Sequence, residues 1–355
     1  MPRSHDRALA RARLARPGEL SRRAVLAGGL GLLAAGAVAG CAQQPYRPTT
    51  TASDPAVTIG LTYIPNIQFA PFYVAEANGL FSGVQATLRH HGAKEGLFTA
   101  LVAGQEDFVI AGGDEVVQAR AQGMDVVAIG QYYHAYPVVA IVPEASPVQT
   151  AADLAGRSIG LPGRSGETYF GLKALLHGAG LTESDVLVQE IGYTQQAALT
   201  TGQVEAIIGF ANNDAVQFEQ AGIPTRTIPL TASGQVPLVS IVLATTRAFL
   251  DANPDAATAV AVGMVKGVQA TVDAPASAVE SSRAQIPTLS EAGAEAAASA
   301  TLDATIPLWA PDGTTVTGRM DPQAWQDMTT FMLDAGLVDS AVDPALAMTN
   351  AHLSE

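Results

Sequence analysis

Short apolar runs alternate with amphipathic segments between Val57 and Ala244. The runs are rich in Val and Ile, and most of the segments between them end in Gly. This alternation is typical of βαβ units, so it predicts an α/β fold in which mostly parallel sheets are flanked by helices. The predicted strands are VTIGL (57–61), VQATLRH (84–90), DFVIA (107–111), DVVAIG (125–130), PVVAIV (137–142), SIGL (158–161), VLVQEI (186–191), EAIIGF (205–210) and PLVSIVLA (237–244).

An internal repeat divides this alternating region. Residues 104–123 and residues 202–222 both read Gly-Gln, an acidic residue, an apolar strand, a polar turn and a helix that contains Val-Gln and closes on Gly. A repeat of this length predicts two similar α/β lobes, each offering the same kind of turn. After Ala244 the apolar runs stop, and the remainder, which holds Trp309 and Trp325, is predicted to be helical.

The first forty residues differ in kind from the rest of the chain. Residues 1–23 carry seven Arg, and residues 24–40 (AVLAGGLGLLAAGAVAG) carry no charge. A basic region, an apolar region and a small-residue exit predict an export signal over residues 1–40. A transmembrane anchor is disfavoured, because seventeen residues rich in Gly and Ala are short for a span that needs ~20 strongly apolar ones.

Cys41 follows this segment and is the only cysteine in the sequence. VAGC (38–41) resembles the lipobox of bacterial lipoproteins, and SRRAVL (21–26) resembles the twin-arginine export motif with Val25 in place of the more usual Phe. We therefore expect lipidation at Cys41 and anchoring to the outer face of the cytoplasmic membrane, with residues 41–56 as a flexible tether. The choice between twin-arginine and general secretory export stays open.

The composition indicates a globular body with an acidic surface. Apolar residues make up 48% and charged residues 15%, and the net charge of −14 becomes more negative once the arginines of the signal are removed. Such a charge repels nucleic acid and gives no long-range help in capturing anions. His90 and His91 are adjacent on a predicted strand and point to opposite faces, so we expect no metal site there.

Four strand-to-helix turns carry polar or aromatic side chains: residues 63–69, 111–115, 162–171 and 210–214. In open parallel sheets, ligands bind beyond the carboxyl ends of the strands, where helix N-termini present unpaired N–H groups. Asp114 and Asn213 can equally be ordinary helix caps, whereas capping does not require both Asn66 and Gln68 among aromatic rings. The residues expected to contact a ligand are Asn66, Gln68, Phe69, Tyr73, Gly113, Asp114, Glu115, Tyr136, Arg164, Gly166, Thr168, Tyr169, Phe210, Asn212 and Asn213.

From Val57 to about Leu230, the chain resembles the substrate-binding lipoproteins of ABC importers in the thiamine-pyrimidine and sulfonate-binding superfamily. The resemblance is carried by IPN (64–66), APFYVA (70–75), Gly79, Phe81, ADLAGRSIGLPGRSGETYFGLKALL (152–176) and VEAIIGFANND (204–214). Within the superfamily, these motifs are most similar to members proposed to carry thiamine-pyrimidine precursors or riboflavin. The resemblance implies a two-lobe periplasmic-binding-protein fold of type II, in which two crossing strands join the lobes and a ligand binds in the cleft.

Lobe bounds and partners follow from this resemblance. Lobe 1 is expected at residues 57–142 plus 239–352 and lobe 2 at residues 143–238, with the run 131–142 as the first crossing strand. Such a protein is an extracytoplasmic solute-binding component, not an enzyme, and it delivers a small molecule to a membrane permease served by a cytoplasmic ATPase. We expect a monomer that needs no cofactor and no metal. Tyr133 and Tyr193 are expected to complete the core.

The ligand is expected to be a flat, largely neutral heteroaromatic compound, because the predicted turns offer many rings, several amides and one strong cation. Riboflavin is favoured over a thiamine-pyrimidine precursor, since three fused rings use more aromatic surface. Arg164 either holds a phosphate or sulfonate or bridges the lobes through Asp114 or Glu115. The alternatives are a sulfonate or taurine-like ligand, a surface sensor or adhesin, and an enzyme of thiamine-pyrimidine metabolism, whose cysteine-rich cluster this sequence lacks.

Overall fold

The protein contains two five-stranded sheets flanked by helices in a computed structural model that describes residues 54–92, 95–230 and 237–354. The predicted export signal, Cys41 and most of the predicted tether lie outside the described residues. None of the helices in the described ranges combines the length and the apolar composition that crossing a membrane requires.

Ten strands are described, and they follow the chain in this order: β1 (Ala56–Leu61), β2 (Gln85–His90), β3 (Phe108–Gly112), β4 (Val126–Gln131), β5 (Val138–Pro143), β6 (Ser158–Leu161), β7 (Leu187–Glu190), β8 (Ala206–Phe210), β9 (Thr225–Pro229) and β10 (Ile241–Thr246). The first sheet has the order β2-β1-β3-β10-β4, and the second has the order β7-β6-β8-β5-β9. In each sheet four strands run in the same direction, while β10 in the first sheet and β5 in the second run antiparallel to both of their neighbours.

Helices cover both faces of the two sheets. The α-helices are α1 (Ala70–Ala77), α2 (Thr99–Val102), α3 (Gly113–Ala121), α4 (Glu167–Gly178), α5 (Gln195–Thr200), α6 (Val216–Gln220), α7 (Arg247–Ala252), α8 (Pro254–Asp273), α9 (Pro275–Ser282), α10 (Ala294–Trp309), α11 (Pro322–Asp334) and α12 (Pro344–Ala347). Short 3₁₀ turns span Ile67–Phe69, Ala151–Leu154, Glu183–Asp185 and Pro287–Ser290, and a π-helical turn spans Ala211–Ala215.

Eight of the nine predicted strands coincide with observed strands to within one residue at each end. The ninth begins at Ile241 instead of Pro237, because residues 237–240 still belong to the segment that returns to the first sheet. Strand β9 was missed. It lies at the edge of the second sheet and ends in Pro229, and proline within a short run normally argues against a strand except at such an edge.

The chain passes between the two sheets twice. It leaves the first sheet after Gln131, enters the second at Val138, and returns between Pro229 and Ile241. The predicted crossing strand over 131–142 is therefore wrong in part, since residues 132–137 are not a strand. The lobe bounds stay a prediction. The predicted bounds place β5 in lobe 1 with the strands of the first sheet. In the structure β5 pairs with β8 and β9 and so belongs to the second sheet.

The largest core joins the first sheet to α1, α8 and α10 and includes the fully buried Trp309. Helix α8 can approach α1 because glycine occupies the contact. A Cβ atom on Gly267 would overlap the carbonyl oxygen of Pro71 and lie 3.0 Å from the Cβ of Ala75. One turn earlier, a Cβ on Gly263 would overlap the ring of Phe81. These two glycines set the distance between α1 and α8.

Substitution of Gly267 by Ala should destabilise the protein, although Gly→Ala within a helix normally stabilises it by about 1 kcal/mol. We expect the free energy of unfolding to fall by about 1–3 kcal/mol, because the new methyl group overlaps backbone that cannot move independently. Urea denaturation measures this change. The control is Gly178→Ala in α4, where the added Cβ would lie 3.6 Å from the nearest neighbouring atom, the carbonyl oxygen of Leu230. Equal stability changes in the two variants would contradict the packing argument.

Candidate functional site

A cavity of about 790 Å³ lies between the carboxyl ends of the strands of the two sheets. Its wall is built by the segments that follow β1, β2, β3 and β4 in the first sheet and β6, β7 and β8 in the second. Parallel strands that end at one edge of a sheet bring their connecting turns together there, which places this wall where open α/β sheets bind ligands. The volume lies within the usual range for pockets that hold small molecules.

Seven of the fifteen predicted contact residues line the cavity: Gln68, Phe69, Glu115, Gly166, Thr168, Phe210 and Asn213. The other eight lie outside its lining: Asn66, Tyr73, Gly113, Asp114, Tyr136, Arg164, Tyr169 and Asn212. All four predicted turns reach the cavity, so the turns are placed as the sequence analysis expected. Within each turn, however, some side chains serve to hold the wall in place.

The two amides of the first turn have different roles. Asn66 caps the 3₁₀ turn, because its Oδ1 accepts a hydrogen bond from the backbone N–H of Gln68 at 3.0 Å. Its Nδ2 donates to Oδ1 of Asn213 at 3.4 Å, which links turns that follow strands of different sheets. Gln68 lines the cavity and donates from Nε2 to the hydroxyl of Tyr133 at 3.4 Å. Capping therefore accounts for Asn66 and not for Gln68, and ligand contact by either amide stays a prediction.

Buried side chains behind the wall account for three more of the predicted contacts. Tyr73 is 1% exposed, and its hydroxyl lies 3.0 Å from Nε2 of His90. Tyr136 donates to Oδ2 of Asp114 at 2.6 Å, so both groups are already paired with each other. Asn212 donates from Nδ2 to Oγ1 of Thr305 in α10 at 2.9 Å. These side chains support the residues that line the cavity. Gly113 packs directly against Val239.

Arg164 is paired away from the cavity. Its guanidinium forms a salt bridge with Glu183 and lies 3.3 Å from Oε1 of Glu190, and Glu183 also accepts a hydrogen bond from Tyr169 at 2.9 Å. The proposed bridge from Arg164 to Asp114 or Glu115 is therefore wrong. Two carboxylates of the second sheet's own connections lie nearer, and they compensate the positive charge locally.

Four tyrosines in the wall were not among the predicted contacts: Tyr63, Tyr132, Tyr133 and Tyr193. Tyr63 follows β1 and Tyr193 follows β7, and their rings meet edge to face with centroids 4.6 Å apart. Tyr133 stacks on Tyr132 at 5.1 Å. Assigning Tyr133 and Tyr193 only to the core was wrong. The signal that could have found Tyr193 was its place directly after a parallel strand, the same rule that selected the other turns.

Three carboxyl groups from both sheets converge beside Gly112. Asp114 and Glu115 begin α3, Glu167 begins α4, and a Cβ on Gly112 would lie 2.9 Å from Cγ of Glu167 and 3.2 Å from Oε2 of Glu115. Ser240 donates to Oε1 of Glu167 at 3.0 Å. Only glycine leaves room for this convergence. Among the described residues, no group of three His, Cys, Asp or Glu side chains is arranged to hold a metal ion.

Burial makes these carboxyl groups weak acids. It raises the pKa of Asp114 to about 7, and burial together with the charge of Asp114 raises the pKa of Glu115 to about 8. Burial and then the charges of Asp114 and Glu115 raise the pKa of Glu167 well above its ordinary value. On the second sheet, burial raises the pKa of Asp214 to about 6. At neutral pH the group of Asp114, Glu115 and Glu167 therefore retains protons that the unfolded chain releases.

Stability should consequently decrease as the pH rises from about 5 to about 8. The pKa values of Asp114 and Glu115 in the folded protein lie above the ~4 of a carboxyl group in the unfolded chain. Their contribution to stability is therefore fully present below pH ~4 and is lost as the pH rises towards the pKa values of the folded protein. Asp114→Asn should make the decrease shallower by up to about 1.4 kcal/mol per pH unit, measured by urea denaturation at several pH values. Asp339→Asn, at an exposed position, is the matched control. If the free energy of unfolding decreased equally steeply with pH in Asp114→Asn and in Asp339→Asn, Asp114 would not be a source of the pH dependence.

Comparison with known proteins places this architecture in a family. Residues 66–278 match the family model described as NMT1/THI5 like. The riboflavin-binding protein RibY of Chloroflexus aurantiacus is 32% identical over 300 residues, which cover 83% of this chain and 85% of that protein.

Two solved structures share the fold. The alkanesulfonate-binding protein SsuA of Xanthomonas axonopodis pv. citri, bound to MOPS, has a TM-score of 0.66 at 18% identity and covers 84% of this chain and 99% of its own. The aliphatic sulphonate-binding protein SsuA of Escherichia coli has a TM-score of 0.65 at 19% identity, covering 82% and 97% of the two chains. The chain therefore belongs to the NMT1/THI5-like family and has the fold of the periplasmic binding proteins.

Proposed function

We propose that this protein is the solute-binding component of an ABC importer and that its ligand is riboflavin. The observation that carries the proposal is a cavity whose wall combines aromatic rings from segments of both sheets with amides and carboxyl groups and, among the described residues, contains no Lys or Arg. The identity of 32% to a riboflavin-binding protein over most of both chains supports the same ligand. Sequence identity at this level supports a shared binding role more firmly than a shared ligand.

The aromatic part of the wall suits a flat ring system. Tyr63, Phe69, Tyr133, Tyr193 and Phe210 line the cavity, and they come from segments of both sheets. Stacking on an aromatic side chain contributes about 0.5–1.5 kcal/mol beyond the burial of apolar area. A three-ring compound can contact several of these side chains at once, whereas a single pyrimidine ring covers fewer of them.

The polar part of the wall suits the edge of a heterocycle. Gln195 lines the cavity, is 8% exposed and has no hydrogen-bond partner among the described residues. Asn213 uses its Oδ1 for Asn66 and Gln217, which leaves its Nδ2 available on the cavity side. Amides supply both donors and an acceptor, as the carbonyl and N–H groups of an isoalloxazine ring require. Unpaired amides this deeply buried are normally satisfied by a ligand or by water.

Two other ligand classes fit less well. A thiamine-pyrimidine precursor can use the same amides and one ring of the wall, so it is the second candidate. A sulfonate matches what the two structural neighbours bind, but those neighbours are below 20% identity and support the fold alone. A small anion also gains nothing from stacking. An enzymatic role has no support from the relatives compared, which are binding proteins.

The cellular setting belongs to the same proposal. Export through the signal at residues 1–40, lipidation of Cys41 and delivery of ligand to a membrane permease with its ATPase together describe an importer subunit. The periplasmic-binding-protein fold supports an exported protein. We propose that the protein acts as a monomer in this role.

Riboflavin should bind with micromolar or tighter affinity to protein that has been freed of endogenous ligand by unfolding and refolding. Calorimetry gives the affinity, and quenching of flavin fluorescence reveals stacking. Tyr193→Ala should weaken binding about 3- to 10-fold, because one stacked ring is lost. The matched control is Tyr169→Ala, whose ring lies outside the cavity lining. Binding of taurine without riboflavin would overturn the proposed ligand, and binding of the aminopyrimidine alone would replace it.

Arg164→Gln should leave the affinity for riboflavin unchanged within about threefold. The reason is that Arg164 is paired with Glu183 and Glu190 and does not line the cavity. The same calorimetric titration measures this variant. A loss of tenfold or more would show that Arg164 reaches the ligand and would restore the interpretation in which it holds an anion.

A further inference from the structure

We propose that the cavity accepts uncharged ligands and rejects their phosphate esters and sulfonates, because the protein's own carboxyl groups occupy the backbone donors that a ligand anion would use. This inference rests on the proposed function and specifies it: the ligand is riboflavin and not riboflavin 5′-phosphate. The residues that impose the choice are Glu115, Glu167 and Asp214.

The donors that normally attract anions are already paired at two of the turns. Backbone N–H groups at the start of a helix after a strand commonly bind phosphate or sulfate. At the start of α3, Oε2 of Glu115 accepts from the N–H of Gly112 at 2.6 Å, and Oδ1 of Asp114 accepts from the N–H of Glu115 at 2.7 Å. After β8, Oδ2 of Asp214 accepts from the N–H of Phe210 at 2.7 Å. A ligand anion would have to displace these carboxyl groups.

A third carboxyl group lies at the turn before α4. Glu167 is the first residue of that helix, lines the cavity and is 6% exposed. Ser240 donates to its Oε1 at 3.0 Å, which fixes the side chain beside the cavity. An anion that approached the start of α4 would therefore meet a side-chain carboxyl group in the place of a free backbone donor. Any of these carboxyl groups that ionised would repel the anion strongly in a partly dry site.

In the part of the wall that the structure describes, no Lys or Arg offsets these acids. The basic side chain that is present there, His91, lies with Nε2 2.8 Å from Oε1 of Glu106. Arg164 is held by two carboxylates outside the lining. A phosphate or sulfonate group would lose its hydration without gaining a positive partner, and burying an unpaired charge in this way is costly.

The oxygens left over are acceptors for a neutral ligand. Oε1 of Glu115 and Oε2 of Glu167 have no hydrogen-bond partner among the described residues, and both side chains line the cavity. A carboxylate oxygen accepts from hydroxyl and N–H groups. The ring N–H and the hydroxylated chain of riboflavin supply such donors, whereas phosphorylation at the end of that chain replaces a donor hydroxyl with an anionic acceptor.

The test compares riboflavin with riboflavin 5′-phosphate by calorimetry on the wild-type protein and on Glu115→Gln and Glu167→Gln. We expect the phosphate ester to bind the wild type at least about 100-fold more weakly. Each substitution should lower the ratio of the affinity for riboflavin to the affinity for its phosphate ester at least about tenfold, because the new amide supplies a donor and replaces an acid. Glu219→Gln, at an exposed position outside the lining, is the matched control and should leave the ratio unchanged.

The outcomes separate this inference from the proposed function. Binding of both flavins within about threefold of each other would overturn the charge rule and leave the riboflavin proposal intact. An unchanged ratio in both variants would overturn the assignment to Glu115 and Glu167. If neither flavin binds, the proposed ligand is wrong. The rejection of anions is then tested by comparing the affinities of the aminopyrimidine and its phosphate ester. The proposed rejection of anions is overturned if that ester, or taurine, binds as tightly as the neutral pyrimidine.

Discussion

Each passage of the chain between the two sheets carries a hydrogen bond to a buried carboxyl group. Tyr136 in the first passage donates to Asp114, and Ser240 in the second donates to Glu167. Because Asp114 begins a helix of the first sheet and Glu167 a helix of the second, these two bonds tie both sheets to the segments that join them. The placement of the surrounding turns, and so the shape of the cavity, depends on this junction.

The junction also explains why buried acids are tolerated. Their free energy cost is reduced by hydrogen bonds from a phenol, a serine hydroxyl and backbone N–H groups, and by proton retention at neutral pH. A protein that binds anions in the same fold has to leave such donors free for its ligand. In this chain such donors are paired with the protein's own carboxyl groups, and Asp114 and Glu167 also accept hydrogen bonds from the segments that join the sheets. The proposed ligand selectivity and the stability of the junction therefore depend on the same acids.

The fold was largely predictable because it rests on local patterns. Val- and Ile-rich runs such as SIGL (158–161) have the length and composition of buried strands, and Ser158–Leu161 is the observed strand. The turns beyond the strands were predictable for the same reason, since parallel strands fix where their ends meet. Strand β9 escaped because an edge strand ending in Pro229 carries a weak pattern.

The roles of single side chains were less predictable, because partners distant in sequence decide them. Nothing near Arg164 in the sequence indicates that Glu183 and Glu190 come within reach of its guanidinium. Likewise Asn66 and Asn213 are 147 positions apart and meet only in the folded chain. Tyr193 was assigned to the core although it follows β7, because the segment after that strand carries none of the motifs by which the other turns were selected.

The position of Trp309 gives the protein an intrinsic optical probe. Its indole meets the ring of Tyr133 at 6.1 Å, and Tyr133 forms part of the cavity wall, whereas Trp325 lies in a different core beside Met328 and Met332. An absorbing molecule in the cavity lies within resonance-transfer distance of the first indole. Occupancy of the cavity can therefore be followed by ultraviolet emission without attaching a dye.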